Sequence, residues 1–87
     1  MDLKHWRDQV SDLVGFKLTQ AGAAALFNTP YRTYQDWEAD KARVPGIMDP
    51  STRLILGMIR AGHITLGKAD GEVYMVAGGT NDTDTDK

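Results

Sequence analysis

The side chains best equipped for recognition chemistry in this 87-residue sequence cluster between Gln20 and Asp36. Arg32 and Gln35 are three apart, and Asp36 follows Arg32 by four. On a helix those spacings place all three on neighbouring parts of one surface. A guanidinium can donate two hydrogen bonds to the major-groove edge of guanine, and a carboxamide can pair with adenine. Asp36 lies within reach to orient the Arg32 guanidinium. Tyr31 shares this surface, either as a base contact or as a cap on the edge of the core. Gln20 and Thr33 suit contacts with phosphate oxygens, which set register without reading sequence.

Other chemistries lack their parts. The chain has no cysteine, which excludes a disulfide framework and a thiolate metal site. His5 and His63 are far apart and have no companions at metal-ligand spacing. Asp82, Asp84 and Asp86 imitate the start of a calcium loop without its glycine or closing glutamate. No glycine-rich phosphate loop, nucleophile elbow or carboxylate pair is visible, so neither an enzyme nor a cofactor is expected.

The elements that must carry the polar surface can be read from period and punctuation. Leu3, Trp6, Val10, Leu13 and Val14 recur at spacings of three and four. They predict a first helix over about Asp2 to Leu13, ended by Gly15. Thr19 caps a second, alanine-rich helix that ends near Leu26, and Asn28 tolerates the left-handed turn that follows. Thr29 as cap and Pro30 at the first helical position open a third helix running to Glu38, with Tyr34 and Trp37 turned inward. Asp49 and Pro50 open a fourth, with a stripe of Leu54, Ile55, Met58 and Ile59 and a stop at Gly62. His63 to Ala77 then alternates around Asp70-Gly71 and predicts a β-hairpin. From Gly78 the chain is polar and of low complexity, and a disordered acidic tail is expected. The expected fold is therefore mainly α, with four helices in residues 1–62, a hairpin in 63–77 and a tail in 78–87.

A duplex partner is compatible with the charge distribution, although the whole chain carries a net charge of −2. Met1 to Lys68 holds nine bases against seven acids, and the acidity is concentrated beyond it. No apolar run approaches the length of a membrane span, and the N-terminal segment reads as neither secretory signal nor transit peptide. A cytoplasmic location away from membranes is expected.

The run LTQAGAAALFNTPYRTYQDWEADKARVP resembles the phage-repressor-like helix-turn-helix family, also called the Cro/C1 or XRE type. The resemblance rests on Thr19-Gln20, Ala24, Thr33, Trp37-Glu38, Lys41, Arg43 and Pro45, and it spans about Lys17 to Arg60. It implies a sequence-specific DNA-binding regulator, with Gln20, Tyr31, Arg32 and Asp36 at the DNA and Thr33 near its backbone. It also implies that Lys41 and Arg43 lie in a loop approaching phosphates. In that family a glutamate matching Glu38 often pairs with an arginine of the first helix. The aligned position is apolar here, so Arg7 or Lys17 has to supply the cation. Asn28 and Asp40 stand where the family uses glycine, and the hairpin stands where it has a fifth helix.

One recognition helix gives modest specificity, and such regulators double it by dimerising on pseudo-palindromic half-sites. Ile64, Leu66, Val73, Tyr74, Met75 and Val76 are the candidates for a shared intermolecular sheet. The other arrangement folds the hairpin back onto the chain's own fourth helix. Two functional classes stand: a DNA-binding repressor of phage or antitoxin type, or a module that binds a toxin or other protein through its hairpin with little affinity for DNA.

Overall fold

A computed structural model describes residues 2–77, and the tail expected from Gly78 lies outside the described residues. Helix α1 spans Leu3–Val14; the Asp2 carboxylate caps it by accepting from the His5 N–H at 3.0 Å, and Gly15 closes it at φ 85. Helix α2 spans Gln20–Leu26, with the Thr19 hydroxyl accepting from the Gly22 N–H. Helix α3 spans Tyr31–Glu38, and α4 spans Met48–Arg60. Strands β1 (Ile64–Ala69) and β2 (Glu72–Ala77) form one antiparallel hairpin. The result is a small, compact, mainly α domain ending in a two-stranded hairpin.

Three of the helices end in the same way. After α2, Asn28 adopts φ 50, its N–H bonds the Ala25 carbonyl, and the Thr29 N–H reaches Ala24. After α3, Asp40 adopts φ 62, its N–H bonds Trp37, and the Lys41 N–H reaches Asp36. After α4, Gly62 adopts φ 80 with the equivalent bonds to Ile59 and Met58. Each is a Schellman closure, which satisfies the last carbonyls of a helix through one left-handed residue. Asn and Asp tolerate that conformation better than other non-glycine residues, so α2 and α3 can stop abruptly without glycine.

Two boundaries and one buried face differ from expectation, each for a physical reason. Because the Thr29 N–H closes α2, its hydroxyl turns back to the Phe27 carbonyl, and Pro30 takes the cap position of α3. Helix α4 begins before Asp49, since Met48 is buried and anchors an earlier turn. Asp49 instead pairs with Arg53 on the surface. Leu54 is not part of the buried stripe and is 63% exposed. The core face of α4 is Met48, Thr52 and Ile59, and Leu54 sits roughly 200° from Thr52 around the helix.

Val10, Leu18 and Tyr34 are fully buried at the centre, with Leu3, Trp6, Ala23, Ala24 and Leu66 around them. Ala23 and Ala24 let α2 approach its neighbours closely. Trp6 joins α1 to α4: its indole N–H donates to the Thr52 carbonyl at 2.9 Å, and its ring meets Phe27 at 5.4 Å. Trp6→Phe keeps most of the apolar contact and leaves that buried carbonyl short of a donor. Thermal or denaturant unfolding should show a loss of about 1–3 kcal/mol.

Candidate nucleic-acid interface

Helix α3 buries Tyr34 and half-buries Trp37, whose rings meet edge to face at 6.1 Å. That anchors one side of the helix and turns the other outward. Tyr31 and Arg32 are exposed, and Gln35 and Asp36 are half-buried on the flank. Gln20, from the first turn of α2, and Lys41, from the loop after α3, join Arg32, Gln35 and Asp36 around one shallow open groove. The Schellman closure at Asp40 folds the Lys41 backbone onto Asp36 and so puts the lysine there. Tyr31 and Thr33 lie on α3 outside this group, and Arg43 is exposed further along the loop.

Charges on this surface are free to act. Among the described residues, the ion pairs within 4.0 Å are Arg7 with Glu38 and Arg53 with Asp49. The Arg32 guanidinium is therefore not held by Asp36, contrary to the pairing expected from their spacing. Both remain available to a ligand, the arginine as a fork of donors and the carboxylate as an acceptor.

Behind the groove sits a buried polar cluster. Arg7 donates from Nε to Glu38 Oε2 at 2.9 Å and from Nη2 to Oε1 at 3.0 Å. Its Nη1 donates to the Leu18 carbonyl at 3.1 Å. Gln20 Nε2 donates to Glu38 Oε1 at 3.0 Å. The two ionic side chains are only 10% and 5% exposed. Arg7 thus supplies the first-helix cation and ties α1 to the end of α3, while Glu38 holds Gln20 in place. One N–H of the Gln20 carboxamide is spent on Glu38, and the second remains available to a ligand.

The Arg7 guanidinium is held above its ordinary pKa, chiefly by the hydrogen bonds to Glu38, despite burial. Burial works to raise the Glu38 pKa, but the bonds from Arg7 and Gln20 outweigh it and the net shift is downward. Burial, reinforced by the Glu38 carboxylate, pushes the Tyr34 hydroxyl far above the usual tyrosine range. All three groups therefore keep their neutral-pH states, and the cluster acts as a fixed strut. Ser11 contributes a second tie missed from sequence: its hydroxyl accepts from the Leu18 N–H at 2.8 Å and donates to the Arg7 carbonyl. A serine inside an amphipathic helix gives no pattern signal for such a role.

The hairpin residues divide. Leu66 is buried in the chain's own core, and Ile64 and Val73 are half-buried at its edge. Val73 lies so close to α2 that a β-carbon on Gly22 would sit 2.9 Å from its Cγ2. Tyr74, Met75 and Val76 are exposed. Among the described residues no helix is long and apolar enough to cross a membrane, and no group of three potential ligands could hold a metal ion. No protein-family pattern, curated protein or solved structure matches the chain.

Proposed function

We propose that this chain is a sequence-specific DNA-binding transcriptional regulator, a repressor of phage or antitoxin type that acts as a homodimer on a pseudo-palindromic operator. In this reading α2 and α3 are a helix-turn-helix of the phage-repressor-like class, and α3 is its recognition helix. The supporting observation is the groove itself. An eight-residue helix, pinned from behind by Tyr34 and Glu38, offers Arg32, Gln35 and Asp36 outward between Gln20 and Lys41. A B-DNA major groove, about 12 Å wide, admits one helix presented in this way. Arg32 and Gln35 then read base edges, and Asp36 favours the amino group of cytosine. Three of the residues that carry the resemblance to the phage-repressor-like family, Gln20, Glu38 and Lys41, also take part in the groove or its strut.

The test is binding of wild type and Arg32→Ala to duplex DNA from upstream of the chain's own gene, and to random sequence. Tight wild-type binding to one sequence, lost in the variant, supports the reading. No wild-type binding to either pool overturns it and favours the protein-interaction module.

A further inference from the structure

The hairpin has an open edge, and its geometry says which backbone groups occupy it. Asp70 and Gly71 both have positive φ, 53 and 80, as a two-residue type I′ turn requires. Such a turn makes Ala69 and Glu72 the pair that exchanges both hydrogen bonds, and hydrogen-bonded pairs then alternate along the ladder. Tyr74 and Val76 therefore spend their backbone groups on β1. Val73, Met75 and Ala77 point theirs the other way, and the two-stranded sheet provides no acceptor or donor there.

The side chains at that edge are as unusual as the backbone. Tyr74, Met75 and Val76 are 48%, 45% and 37% exposed, although they alternate between the two faces of the sheet. Val73 to Ala77 contains no charge, proline or bulge, which are the devices that normally blunt an edge strand. We infer that this edge pairs with the same edge of a second copy, β2 antiparallel to β2 across a two-fold axis, giving a four-stranded sheet.

Charge and hydrogen bonding select the register. With Met75 on the axis, Met75 exchanges both bonds with its counterpart, and Val73 does so with Ala77 of the second copy. Every side chain in the paired segment is then apolar, and Tyr74 faces Val76 as an aromatic to β-branched pair, a favourable combination. Moving the axis to Tyr74 would set Glu72 against Val76 and use fewer of the outward groups. The segment is thus self-complementary in one register. The paired strand of each copy, Val73 to Ala77, makes a short interface, and weak association is the expected outcome. The inference rests on the dimeric part of the proposed function and is independent of its DNA part.

Sedimentation equilibrium of the full chain without DNA tests it, comparing wild type with Met75→Pro. Proline removes the outward N–H of Met75 and no bond to β1, and it is tolerated on edge strands. Wild type should pass from monomer to dimer across the micromolar range. Met75→Pro should associate at least about tenfold more weakly while keeping its helical circular dichroism. Arg32→Ala should dimerise like wild type, which separates this result from any failure to bind DNA. If Met75→Pro does not fold, amide exchange in wild type decides. The Met75 and Ala77 amides should slow with concentration while those of Tyr74 and Val76 do not. A monomer at all concentrations, an undiminished dimer in a folded Met75→Pro, or concentration-independent exchange at Met75 overturns the inference.

Discussion

Arg7→Met should cost the folded chain about 3–5 kcal/mol, the usual loss when one partner of a buried ion pair is removed. The substitution keeps an unbranched apolar stem in the core and deletes only the guanidinium. Glu38 would then remain a buried carboxylate with Gln20 as its surviving hydrogen-bond donor, and the Leu18 carbonyl would lose its partner. A domain of this size has a total stability of only about 4–11 kcal/mol. The melting temperature should therefore fall by roughly 12–40 °C. Adding Glu38→Gln to Arg7→Met removes the stranded charge and should recover part of the loss, a coupling that a double-mutant cycle measures. A shift below about 5 °C for Arg7→Met would mean that the pair is not what holds α3 in place.

The same pair sets the response to acid. The folded pKa of Glu38 lies below its ordinary value of 4.5. As pH falls, the unfolded chain takes up this proton first, so the folded state loses stability. The contribution is fully present above about pH 5 and declines from there down through the folded pKa. Denaturant unfolding of wild type should show that decline, and Glu38→Gln should flatten it.

What could be read from sequence and what could not divides along a physical line. Gly15, Thr19, Asn28 and Asp70-Gly71 were legible because caps and positive φ are decided within a few residues. That Arg32, Gln35 and Asp36 share one surface was legible for a similar reason, through helical spacing alone. Lys41 reaches the groove through the closure at Asp40, whose left-handed conformation is equally local. The side of α4 that faces the core was not legible. It is set by the Trp6 bond to Thr52 and the burial of Met48, contacts made across more than forty residues of chain. Hydropathy therefore places Leu54 in the stripe, whereas the fold exposes it. The sequence offers Arg7 and Lys17 alike as the cation for Glu38, because nothing local says which of them reaches a residue more than twenty positions away. The choice falls to Arg7, which lies on the inner face of α1 with Leu3, Trp6 and Val10. The hairpin's existence was local, but its division into a buried Leu66 and an exposed Tyr74, Met75 and Val76 depends on how it docks on α2.

The second large effect expected is a separation of affinity from specificity between two sets of cations. Lys41 and Arg43 sit in the loop after α3 without carboxylate partners among the described residues. If the proposed dimer binds its operator, they would supply about four phosphate contacts, each releasing close to 0.9 of a counterion. The log–log dependence of affinity on salt should then have a slope near −3.6, so raising salt fourfold weakens binding by about 150-fold. Lys41→Ala with Arg43→Ala should remove most of that slope and weaken operator and random DNA alike. Arg32→Ala should do the opposite. A bidentate contact to guanine is worth about 1–3 kcal/mol of discrimination, and a dimer makes it twice. Operator binding should fall by on the order of 10²- to 10⁴-fold, while random-sequence affinity and the salt slope change little. Fluorescence anisotropy with operator and scrambled duplexes over a salt series measures all four quantities. If Arg32→Ala weakened both duplexes equally and flattened the slope, Arg32 would be a phosphate contact. The reading of bases would then pass to Gln35 and Asp36, the remaining side chains of α3 that line the groove.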